Sequence, residues 1–147
     1  MLRHQWAAAD ADDQFSQKDI DALTKLSIQS YVWSDKLSLE ERVMQDLPWP
    51  FVQASIKLAQ DEFNLSAYDQ ISSKVEEALD KDFDKWIDSP KLRKTVGEVA
   101  KKKEWFKSTT KGDLWFKTIA AAFEDNNFLK TDLSTKLDQL WTWVEHA

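Results

Sequence analysis

Apolar positions recur at helical spacing along most of this chain. Val52, Ile56, Ala59 and Phe63 share one face, and Pro50 suits the first turn of the helix that carries them. Ser66 with Asp69 opens a stretch bearing Ile71, Val75, Ala78 and Leu79. Phe83 and Trp86 fit a short acidic helix that stops before Pro90. Leu92, Val96 and Val99 mark another helix, in which Gly97 is a mild weakness. Gly112 marks a turn ahead of a strongly helical run from Leu114 to Phe123. Leu133, Leu137, Leu140, Trp141 and Val144 form a last apolar stripe that Thr131 is placed to cap.

The first fifty residues follow a different pattern. Arg3 to Ala9 reads as a strand, although its alanines suit a helix equally well. Ser16 and Asp19 have capping-box spacing, and Ile20, Leu23 and Leu26 follow at helical spacing. Ser27 to Trp33 has the length and the β-branched and aromatic content of a second strand. Strand, helix and strand in that order predict a parallel crossover. Ser38 and Glu41 repeat the capping box for a helix ending near Asp46, and Pro48 and Pro50 break the chain around Trp49. The expected fold is mainly α, with a small parallel β-α-β element at the N-terminus and a multi-helix C-terminal region. The division falls at residues 1–47 and 48–147, with the helical region packed on the α/β segment.

Composition narrows the function classes. A chain of 147 residues supports one domain with a substantial core. Eight Trp and eight Phe supply large apolar surfaces and argue against disorder. The absence of Cys removes thiolate metal sites, disulfides and a cysteine nucleophile. No apolar run is long enough to span a bilayer and no leader pattern is visible, so the expected setting is cytoplasmic, without a membrane partner.

The formal net charge of -6 argues against general attraction to nucleic acid, but the charge is uneven. Acids dominate from Asp10 to Glu41 and from Glu76 to Asp88. Lys91, Arg93, Lys94, Lys101, Lys102, Lys103, Lys107, Lys111 and Lys117 cluster further on. Such a run would hold a phosphate backbone, with Lys101, Lys102 and Lys111 as candidate DNA contacts. It also reads as a solvated helix face.

Asp10 and Asp12 lie on the same side of an extended segment, because side chains alternate there. Paired carboxylates suit Mg²⁺ or Mn²⁺, hard cations that take oxygen ligands. Glu40 starts the helix after the second strand and is a candidate third ligand, since both connections of a parallel unit leave the same edge. A cluster favoured by a helix dipole is the plainer reading. A calcium loop over Asp10, Asp12, Gln14 and Asp21 is rejected, because Phe15 stands where the sharp turn needs glycine.

Trp6 to Trp49 resembles the second half of a Toprim domain of the OLD family of ATP-dependent endonucleases. The resemblance rests on Asp10-Ala11-Asp12 after a strand, a helix, a strand ending in Trp33, and Leu39-Glu40 leading a helix. Asp46-Leu47-Pro48-Trp49 and Lys103-Glu104-Trp105-Phe106-Lys107 resemble the helical region that follows Toprim in such proteins. The resemblance implies divalent-metal ligation by Asp10, Asp12 and Glu40, with Lys103 or Lys107 assisting phosphodiester cleavage of DNA. The family's upstream glutamate and its phosphate-binding P-loop have no counterpart here. The resemblance therefore implies a C-terminal piece that needs an upstream ATPase/Toprim half, or a partner chain, to be active.

Other chemistries find little support. His4 and His146 are the two histidines and no catalytic triad is arguable. The echo of Trp105-Phe106-Lys107 in Trp115-Phe116-Lys117 suits either base stacking beside cations or burial at helical spacing. Trp141 and Trp143 cannot share one narrow face, which leaves one of them for solvent or a partner. The alternative function is a non-enzymatic acidic helical interaction protein, of immunity or inhibitor type, that pairs with a basic partner through charge.

Overall fold

The computed structural model describes residues 5–8, 16–31, 33 and 35–146. Among these the chain is mainly helical, as the apolar periodicity predicts. Strands β1 (Gln5–Ala8) and β2 (Ile28–Tyr31) pair in parallel, with Gln5 opposite Ile28 and Ala8 opposite Tyr31. Between them lies α1 (Gln17–Lys25), whose capping box is closed. The Asp19 amide donates to the Ser16 hydroxyl at 3.2 Å, and the Ser16 amide donates to the Asp19 carboxylate at 2.8 Å. The Ser16 hydroxyl also donates to the Asp19 carboxylate at 2.6 Å, and this bond first, with the one from the Ser16 amide second, holds the Asp19 carboxyl below its ordinary pKa.

Helix α2 (Leu39–Asp46) is capped by the Ser38–Glu41 box and buries Val43 and Met44 completely. Extended backbone at Leu47 and Pro48 leads into α3 (Trp49–Lys57), with Pro50 in its first turn. Val52, Ile56 and Ala59 are fully buried along one stripe, and the helix continues as a π-turn over Leu58–Glu62. The later helices are α4 (Ala67–Ser72), α5 (Pro90–Lys102), α6 (Thr109–Ala121) and α7 (Asp132–His146).

Three local expectations fail. Ser66 does not cap α4 with its side chain; it takes a left-handed conformation (φ 51°), and the helix stops at Ser72, before Val75. Residues 73–89 are mostly irregular, with one 3-10 turn at Phe83–Lys85 in place of an acidic helix. Gly112 lies inside the first turn of α6 rather than in a turn ahead of it.

The irregular stretch is held by side chains instead of a backbone ladder. Trp49 Nε1 donates to the Trp86 carbonyl (3.0 Å) and Gln53 Nε2 to that of Phe83 (2.8 Å). The Tyr68 hydroxyl donates to Leu79 (3.0 Å) and Trp86 Nε1 to Asp80 (2.6 Å). Carbonyls that would otherwise be left without partners are thereby satisfied.

The central seam is α2 against α5. Gly97 permits it: a Cβ at that position would lie 2.8 Å from the Cα of Glu41. One turn earlier on α5, Arg93 Nη1 donates to the carbonyls of Met44, Gln45 and Leu47 at 3.0, 3.0 and 2.7 Å. Its Nε and Nη2 hold Asp88, and its guanidinium lies 5.4 Å from the ring centre of Trp49. Arg93 thus satisfies carbonyls that the end of α2 leaves open. The two contacts fix α2 and α5 as antiparallel.

Candidate functional site

Glu40 is half-buried in the first turn of α2, beside Glu41, whose carboxylate closes the capping box. Glu41 lies against Gly97, and the end of α2 lies against Arg93. Continuing along α5 from Gly97 by 1.5 Å per residue brings Lys101 to Lys103 about 6–9 Å further, level with or beyond the start of α2. The antiparallel register thus sets the basic end of α5 at the same end of the helix pair as Glu40. Lys101 is half-buried, Lys102 is exposed, and Lys103 is the exposed cap residue of α5. Cations there also complement the α5 dipole.

The C-terminal edge of the parallel pair is defined by Ala8 and Tyr31, and α2 begins eight residues after Tyr31. Asp10 and Asp12 follow Ala8 in sequence but lie outside the described residues, as does His4. Among the described residues no group of three or more His, Cys, Asp or Glu side chains is arranged to hold a metal ion. The donor chemistry of Asp10, Asp12 and Glu40, three carboxylates, fits a hard divalent cation.

The remaining candidate lysines are elsewhere. Lys107 is exposed and bonded to Glu104 at 2.6 Å. Lys111 stands over the Phe63 ring, 5.4 Å from its centre, in the first turn of α6. The aromatic echo is mostly core. Trp105, Phe106 and Trp115 are buried. Phe106 and Trp115 stack at 4.0 Å, Trp115 Nε1 donates to Ser55 (3.1 Å) and Trp105 Nε1 to Gln70 (2.8 Å). Three of the four rings are therefore not available to stack on bases, and Phe116 alone is exposed.

Two arrangements escaped the sequence reading. Arg42 is buried and ion-paired to Asp35 and, at 3.0 Å, to Asp46. Burial works against its charge, but the hydrogen bond it donates to Asp35 and the attraction of Asp46 outweigh this and raise its pKa. Its Nε is the one buried side-chain polar atom without a hydrogen-bond partner among the described residues. The other oxygen of Asp46 accepts the Leu133 amide at 2.9 Å, so one carboxylate ties α2 to the start of α7. The i, i+4 spacing of Arg42 and Asp46 was a visible signal; the link to Leu133 was not.

The second arrangement is an open apolar groove of about 570 Å³ between α6 and α7. Phe116, Ile119 and Phe123 line one wall, and Leu137, Trp141 and Val144 the other. Trp141 is 62% exposed, Val144 52% and Phe116 44%. Among the described residues the apolar stripe of α7 is thus only partly covered.

No described helix is long and apolar enough to cross a membrane. No family model, no curated protein and no solved structure matches this chain.

Proposed function

We propose that this chain is the C-terminal part of a metal-dependent Toprim-type DNA endonuclease, inactive until an upstream half completes its site. The observation that carries the reading is the parallel pairing of β1 and β2. A parallel pair directs both following connections to one edge. One connection carries Asp10 and Asp12, and the other leads to Glu40 in the first turn of α2. A strand, helix and strand followed in the chain by helices supports the OLD-family resemblance. The antiparallel α2/α5 register adds cations to the acidic end.

In this reading Asp10, Asp12 and Glu40 would hold Mg²⁺ or Mn²⁺, which when bound supplies charge stabilisation for a phosphodiester. Lys101 and Lys102 hold the phosphate backbone by attraction, and Lys111, over the Phe63 ring on α6, is a separate backbone contact. Lys103 suits the assisting role better than Lys107, which Glu104 engages. The test is thermal. Mg²⁺ or Mn²⁺ raises the melting temperature of the whole chain, and Asp12→Ala or Glu40→Gln removes the rise. A melting temperature indifferent to both ions overturns the reading.

One observation favours a second reading. The open α6/α7 groove and the net charge of -6 suit a non-enzymatic interaction protein that grips a basic partner. That reading expects no response to metal.

A further inference from the structure

The α6/α7 groove is larger than one stray exposed side chain, and its rim carries a sign. Asp138 lines it directly. Glu145 lies seven residues further along α7, two helical turns on, and therefore on the same face. Both are exposed. On the α6 side the cation nearest the groove residues is Lys117, and Asp113 holds it at 3.0 Å. Glu124 follows Phe123 at the groove's end. The walls are apolar, and with Lys136 beside Leu137 set against Asp138, Glu145 and Glu124 the rim remains net acidic.

We propose that this groove is the docking site for an amphipathic helix of a partner protein, with its apolar face flanked by lysine or arginine. Two facing walls of large apolar side chains with an open mouth are a form that receives a helix by its i, i+3, i+4 and i+7 anchors. The acidic rim selects the flanks by charge complementarity. It also disfavours a second copy of this chain, because an isologous pair presents the same acidic rim to itself. The surface is compatible with either functional reading, since it is separate from Glu40 and the carboxylates near it in sequence.

The probe is a synthetic peptide of about 18 residues, five helical turns, with leucine on one face and lysine on its flanks. Its counterpart carries glutamate in place of lysine. Amide chemical shifts of the full chain report where each peptide binds. The lysine peptide is expected to perturb α6 and α7, and to bind about tenfold more tightly than the glutamate peptide. Trp141→Ser weakens it about tenfold while leaving the melting temperature in place. The double change Asp138→Lys with Glu145→Lys reverses the order of the two peptides. Equal affinity for both peptides, or shifts confined to other helices, overturns the proposal. So does a doubled mass in sedimentation equilibrium that Trp141→Ser returns to the monomer, which assigns the groove to a second copy. None of these outcomes alters the metal response, so the docking site and the nuclease reading fail independently.

Discussion

The α2/α5 seam and the α6/α7 groove are built from the same kind of amphipathic helix and end in opposite states. At the seam the backbones approach so closely that only Gly97 fits, and Arg93 consumes the last carbonyls of α2. At the groove, large apolar side chains stand apart and exposed. Burial of such side chains stabilises by roughly 1.5–3 kcal/mol each, so leaving several half-covered is a cost that docking would recover. The seam is finished by the chain itself, and the groove is not.

Substitution can break this contrast. The largest effect belongs to the aromatic layer beneath α6. Trp115→Ala removes a buried indole and its bond to Ser55, and urea unfolding is expected to show a loss of about 3–5 kcal/mol. Gly97→Ala comes next. Its new Cβ meets backbone, which cannot swing aside as a side-chain tip does, so α2 and α5 must part, at about 1–3 kcal/mol. Arg93→Met keeps the aliphatic stem but strips three carbonyls of their shared donor. A loss of about 1–3 kcal/mol in the same measurement checks it. At the groove, Trp141→Ser stays within about 0.5 kcal/mol of the parent. A loss as large as that of Trp115→Ala would mean that the groove is core and the contrast false.

The smallest effect is electrostatic and belongs to α1, outside both regions. The folded state depresses the Asp19 pKa through Ser16. Its contribution is therefore present above the unfolded-state value and is lost as pH falls through the lower folded-state value. Ser16→Ala is expected to move the Asp19 titration upward, read by carboxyl NMR. Asp80 behaves in the same direction, its carboxylate accepting the Asp82 amide first and attracted by Lys85 second.

What could be read from the sequence follows the range of each interaction. Both capping boxes and the Pro50 start are visible because their partners lie within three residues. The apolar stripe of α3 is visible for the same reason. Gly97 looked like a weakness because its purpose lies on α2, more than fifty residues away in sequence. Residues 73–89 looked helical because Val75, Ala78 and Leu79 happen to be spaced that way. Their carbonyls are instead bound by Trp49, Gln53, Tyr68 and Trp86, a set that no local pattern announces. For the candidate site, Glu40 could be assigned to a helix start because Ser38 caps it. The approach of Lys101 to Lys103 depends on the antiparallel register of two distant helices and could not.

Asp46 has a consequence of its own. One of its oxygens grips Arg42 and the other receives the Leu133 amide at the start of α7. Any occupant that levers α7 outward strains that two-handed grip at the tail of α2. The opposite tip of the same rod bears Glu40, about 9 Å away by helical rise. A push on the far wall of the molecule has one short, stiff strut to travel before it reaches the acidic end.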